Sequence, residues 1–138
     1  MNTEQQKETN RIIVCGVLGI ITMVYLALIG CVNVQHFNYK MNSDIGAEAV
    51  LARLIWNSGE MVPSTWISST ETRIIATPQV AALFYGWTGD MNLGLGLACC
   101  VMATGILLAI WCFMKKAGFR TESCLLMCVL SLALSGNM

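Results

Sequence analysis

Histidine is nearly missing from this chain. His36 stands alone, and neither a second histidine nor a Cys-x-x-Cys pair lies at metal-ligand spacing, so no metal centre is expected from the side chains. Charge is scarce too: 12% of the residues are charged, eight of each sign, and a net charge of zero gives no sign of nucleic acid as a partner. Proline occurs only at Pro63 and Pro78. What fills the space is apolar. A hydrophobic content of 56% and a mean hydropathy of +0.64 suit a polytopic membrane segment better than a soluble domain of 138 residues.

Two uncharged runs set the architecture. Residues 12–32 hold 21 positions with only Thr22 and Tyr25 as appreciably polar side chains. At about 1.5 Å per residue they reach roughly 31 Å, the thickness of a bilayer core. Residues 91–114 contain the second run, and residues 122–138 a weaker third. The expected fold is therefore an all-α membrane protein of about three transmembrane helices. Residues 1–11 form a short N-terminus, 33–90 a large loop and 115–121 a tight turn.

Lysine and arginine placement predicts sidedness. Lys7 and Arg11 precede the first span, and Lys115, Lys116 and Arg120 crowd the turn after the second, whereas Lys40, Arg53 and Arg73 are spread along the loop. Positive residues stay in the cytoplasm, which puts the N-terminus and residues 115–121 inside and residues 33–90 outside the cell membrane. Leu28-Ile29-Gly30-Cys31 resembles a lipoprotein cleavage box. The apolar run from Ile12 to Ile29 is 18 residues, longer than a signal peptide's hydrophobic region, and favours a transmembrane helix.

All seven cysteines lie in or at the edge of apolar runs and read as small packing residues. Gly94 and Ala98, and likewise Gly96 and Cys100, are four apart, a spacing that lets helix backbones approach closely in lipid. Gly16 and Gly19 share one side of the first helix and read the same way. These surfaces face other helices, including further spans outside the chain if it belongs to a longer protein.

Residues 33–90 carry the residues suited to chemistry. Ser43 to Trp56 is rich in helix formers, with Asn42 or Ser43 as cap and Asn57-Ser58-Gly59 as terminator. Ile45, Ala49, Ala52 and Trp56 share a face, predicting an amphipathic helix lying at the interface with the tryptophans at headgroup depth. Thr77-Pro78 starts a second short helix, with proline in the tolerated first turn. Residues 76–87 are too few to cross a bilayer. Asp44 and Glu48, four apart, share a face of the first loop helix. Helix-dipole complementarity accounts for Asp44 but leaves little for Glu48. The alternative is a carboxylate held beside the membrane as a general base, its side chain directed toward the spans or the segment from Trp66 to Arg73.

Pro63-Ser64-Thr65-Trp66-Ile67-Ser68-Ser69-Thr70-Glu71-Thr72-Arg73 is similar to a Pro-x-x-Trp-x-x-Ser-Thr-Glu-x-Arg pattern in large polytopic proteins of Gram-positive bacteria. Those proteins are grouped by layout with GT-C-type membrane glycosyltransferases. One span followed by a large external loop that opens with an acid resembles the N-terminal end of such an enzyme. The resemblance implies Asp44 as the catalytic loop acid, with Glu48 next, and Glu71 and Arg73 as substrate- or lipid-phosphate-binding residues. It implies a polyprenyl-phosphate-linked sugar as donor. Transfer would be an inverting displacement in which positive groups or a divalent metal hold the leaving phosphate.

GT-C enzymes have many more spans than three. The expectation is therefore an N-terminal portion of a longer transferase, inactive alone. The other class left open is a small non-enzymatic membrane protein, an accessory or assembly subunit whose loop binds a partner. The reading frame downstream of codon 138 separates the two.

Overall fold

The computed structural model describes residues 3–35, 43–67 and 76–135, and all regular structure among them is helical. In chain order the helices are α1 (Thr3–Gln35), α2 (Ser43–Ser58), α3 (Thr77–Thr88), α4 (Met91–Lys116) and α5 (Thr121–Ser135). Both loop helices stand where the sequence predicts them. α2 ends at Gly59, whose φ of +70° lets its N–H reach back to the Ile55 carbonyl at 2.9 Å. Pro78 sits in the first turn of α3.

α4 has firm ends. The Asp90 carboxylate accepts from the backbone N–H groups of Asn92 (2.9 Å) and Leu93 (3.3 Å), a side-chain N-cap. At the other end Gly118, with φ +83°, donates to Lys115 O at 3.1 Å while Phe119 donates to Met114 O at 3.0 Å. That pair of bonds is a Schellman closure. It ends the helix immediately beyond Lys115 and Lys116, where cations complement the negative end of the dipole.

α1 and α4 are the two described helices long and apolar enough to cross a membrane. α5 falls short of the third span expected: its 15 described residues reach about 22 Å against a core of roughly 30 Å. The apolar stretch of α1 is uncovered, with Ile12 69%, Ile20 66% and Met23 70% exposed. Seven large apolar side chains between Ile12 and Val24 are about half exposed or more. In water each would cost on the order of 1 kcal/mol, a sum comparable with the whole net stability of a small domain. A contiguous apolar surface of this kind calls for a bilayer or the helices of another protein to cover it. Within it, the hydroxyl of Thr22 donates to Leu18 O at 2.8 Å and is satisfied by the helix itself.

The chain divides into two compact units. The first comprises Met1–Ile29 and Ala103–Met138. Its core is Leu107, Cys128 and Leu132, with Leu26, Ile29, Ile110 and Trp111 packed around them. Arg11 Nε donates to the Glu122 carboxylate and ties the N-terminal part of α1 to the first turn of α5. The basic residues before α1's apolar stretch and after α4 therefore lie at one end of this unit, and Lys7, Arg11 and Arg120 line one cleft.

The second unit, Gly30–Met102, holds both loop helices. α2 packs on α3, and Ala52, Ile55, Ala81 and Ala82 form a core with Leu95 and Ala98 of α4. Small residues make this possible. A methyl group at Gly94 would stand 3.2 Å from Ala81 O and Tyr85 N, and one at Gly96 only 2.6 Å from Asn33 O. Gly30 in turn faces the Cys100 sulfur. The spacing of Gly94, Gly96, Ala98 and Cys100 thus marks true helix contacts. Gly16 and Gly19 have nothing near them among the described residues.

Candidate functional site

The acid-bearing helix of the loop is built into the second unit rather than loosely attached to it. Ala52 and Ile55 are its buried residues, with Ile45, Ala49 and Leu51 partly covered at the same core. The apolar stripe is rotated slightly from the one expected, with Ile55 in place of Trp56. Trp56 is 49% exposed, yet the outer edge of its indole lies against Gly86 of α3, which has no side chain to obstruct it. Tryptophan here serves as a clasp between α2 and α3.

Asp44 and Glu48 share a face, as their spacing requires, but their surroundings differ. Asp44 is exposed in the first turn of α2, where its charge complements the helix dipole. Most of the segment from Trp66 to Arg73, toward which it is expected to point, lies outside the described residues. Position 44 precedes Ile45, the first residue that α2 packs against the core. Glu48, one turn deeper, is half-buried and close enough to Cys99 of α4 to act on it electrostatically. Of the two carboxylates, Glu48 is the less exposed and lies one turn before the buried Ala52, on the side of α2 that enters the core. Glu71 and Arg73 lie outside the described residues, as do His36 and Lys40.

Between α2 and that segment the chain is pinned by polar side chains. Ser58 Oγ accepts from Glu60 N at 3.2 Å, the Glu60 carboxylate accepts from Ser64 N at 3.2 Å, and Trp66 N donates to Pro63 O at 2.9 Å. Pro63 is buried. Gln79 completes the fastening. Its Oε1 accepts from Ala76 N at 3.0 Å, capping α3, and its Nε2 donates to Met61 O at 3.4 Å. Gln79 is 8% exposed, a buried amide whose two ends bond the start of α3 and the chain near Met61.

Two features here have no counterpart in the sequence reading. The Arg53 guanidinium sits 5.6 Å from the centre of the Tyr85 ring. Arg53 also borders a groove of about 400 Å³ with Asn57, Met91 and Asn92. Only the helical period of α2 pointed toward either, by placing Arg53 off the apolar stripe; its partners are too distant in sequence to be read. Among the described residues no group of three or more histidine, cysteine or acidic side chains is placed to hold a metal ion.

The first unit has one polar constellation of its own. The Glu122 carboxyl is held below the usual carboxylate range by a hydrogen bond to its own backbone N–H, opposed by partial burial and reinforced by Arg11 and Arg120. Its other oxygen, Oε2, is buried without a hydrogen-bond partner. Comparison with known proteins finds no match, whether to a family model, a curated protein or a solved structure.

Proposed function

We propose that this chain is the membrane-embedded N-terminal part of a GT-C-like glycosyltransferase, using a polyprenyl-phosphate-linked sugar at the outer face of the cell membrane. α1 and α4 are the spans, residues 1–11 and 115–121 are cytoplasmic, and residues 33–90 are outside. The observation that carries the reading is α2: an ordered, acid-bearing helix seated on α3 and on the N-terminal part of the apolar helix α4, with Glu48 half-buried on its core side. A carboxylate so placed has what a general base needs, a fixed position beside the bilayer where an acceptor hydroxyl or amine could give up its proton. Asp44, in the same helix and on the same face, is the family's loop acid by resemblance. Glu71 and Arg73 would support the substrate or its phosphate.

The test requires the complete reading frame. Asp44→Asn and Glu48→Gln are each neutral exchanges of similar volume. The variant that removes the base should abolish sugar transfer from a polyprenyl-phosphate donor while membrane insertion is retained. Full activity in both variants would overturn the assignment of chemistry to α2. A second reading, a non-enzymatic accessory subunit, is favoured by the uncovered apolar face of α1, which could seat on helices of another protein as readily as on those of a longer chain. Co-purification of the chain with a separately encoded membrane protein, in the absence of further spans downstream, would support that alternative.

A further inference from the structure

The groove beside Arg53 has the composition of a lipid headgroup site. Its walls are apolar, including Val50, Leu54 and Met91, and its polar groups are Arg53, Asn57 and Asn92. Arg53 stacks on Tyr85 rather than forming an ion pair with any described carboxylate. A stacked guanidinium keeps its in-plane N–H donors available, and those donors match the oxygens of a phosphate as a fork. Asn57 and Asn92 add amide donors at the same rim.

The acids of α2 lie on other sides of that helix from Arg53. At about 100° per residue, Glu48 lies roughly 140° and Asp44 roughly 180° around α2 from Arg53. Asp90 is adjacent in sequence to the groove, but its carboxylate is engaged by the N–H groups of Asn92 and Leu93.

Depth identifies the ligand. α4 has 26 residues and is about 39 Å long, so in a core of roughly 30 Å both of its terminal turns emerge into the headgroup layers. Met91 and Asn92, in its first turn, occupy that level. The Arg53 groove, bordered by Met91 and Asn92, therefore sits at the height of lipid phosphates. We infer that this groove binds the headgroup phosphate of a bilayer phospholipid, with Arg53 as the phosphate ligand and Tyr85 as the platform that positions it. The inference rests on α4 spanning the membrane and is independent of any transferase activity.

Native mass spectrometry of the full chain released from detergent tests it, with dioleoyl-phosphatidylglycerol as the probe and dioleoylglycerol, which lacks the phosphate, as control. Wild type should retain one phosphatidylglycerol, and Arg53→Gln should weaken retention roughly tenfold, the loss of one charge-assisted interaction. Arg53→Lys and Tyr85→Leu should each give an intermediate loss at unchanged helicity, which separates loss of the site from loss of the fold. Equal retention by wild type and Arg53→Gln overturns the proposal, as does equal retention of dioleoylglycerol. Preferential, Arg53-dependent binding of a polyprenyl phosphate over phosphatidylglycerol also overturns it, because the occupant is then a carrier lipid. Alkaline extraction of the chain from membranes overturns it as well, because the site requires α4 to span the bilayer.

Discussion

Gly96 faces the backbone carbonyl of Asn33 so closely that a methyl group on it would stand 2.6 Å from the oxygen. The obstacle is main chain, on the last turns of α1, and cannot swing aside. Gly96→Ala must therefore push the two helices apart, at a cost of about 1–3 kcal/mol, the usual range for overpacking. At Gly86 the obstacle is the rim of the Trp56 indole, itself half exposed and free to rotate outward. Gly86→Ala should cost less than Gly96→Ala and shift Trp56 emission to longer wavelength. At Gly16 nothing lies within 4 Å among the described residues, so alanine there should be neutral or better, since it is the stronger helix former. Unfolding titrations in mixed micelles give the order. A Gly96→Ala chain as stable as wild type would contradict the packing described.

Gln79 is the second point of leverage. Gln79→Ala removes both its bonds and leaves the Ala76 N–H in a buried position without its partner. The expected loss is about 1–3 kcal/mol, most of it the cost of that unsatisfied donor. Hydrogen exchange should quicken at Ala76 and through the first turn of α3 while α4 is unaffected. Unchanged protection at Ala76 would mean that the side chain does not cap the helix.

The contrast between these residues shows what a sequence carries. Ser43, Gly59 and Pro78 act through local backbone preference, so both loop helices were legible with their ends to within a few residues. The Gly94, Gly96, Ala98 and Cys100 pattern was legible as contact because only small residues let backbones approach. Partner identity was not: Met61 for Gln79, Tyr85 for Arg53 and Gly86 for Trp56 are each 18 or more positions away, brought together by tertiary packing. The same limit applies to the acids. Spacing put Asp44 and Glu48 on one face, but which of them is covered depends on where the core begins along α2. The Glu71 and Arg73 part of the candidate site lies outside the described residues and is known from its sequence pattern alone.

Glu122 and Arg11 should give the first unit a pH-dependent contact. The folded carboxyl titrates below its unfolded value, so the stabilisation it supplies is present above the ordinary glutamate range, near pH 4.3. It is lost as pH falls through the lowered folded value. Arg11→Gln should move the Glu122 titration upward, toward the ordinary range, as followed by carboxyl NMR. Because its own backbone N–H is the largest cause, part of the lowering should survive the substitution. A titration unmoved by Arg11→Gln would show that the pair contributes nothing to it.

Sidedness provides the widest test. Lys7 and Arg11 precede the apolar stretch of α1, and Lys115, Lys116 and Arg120 follow α4, with Arg11 paired to Glu122 just beyond them. One pass outward and one back would bring both clusters to the cytoplasmic face, where lysine and arginine are retained. Reporter fusions at Met61 and at Lys116 should then report opposite sides of the membrane, with Met61 outside. Trp56 and Trp87, exposed on the loop helices, should be quenched by brominated lipid more strongly than by an aqueous quencher if this surface meets the headgroup layer. Both fusions on one side would mean that α4 does not return across the bilayer. The acids of α2 would then lose the outer-face setting on which the transferase reading depends.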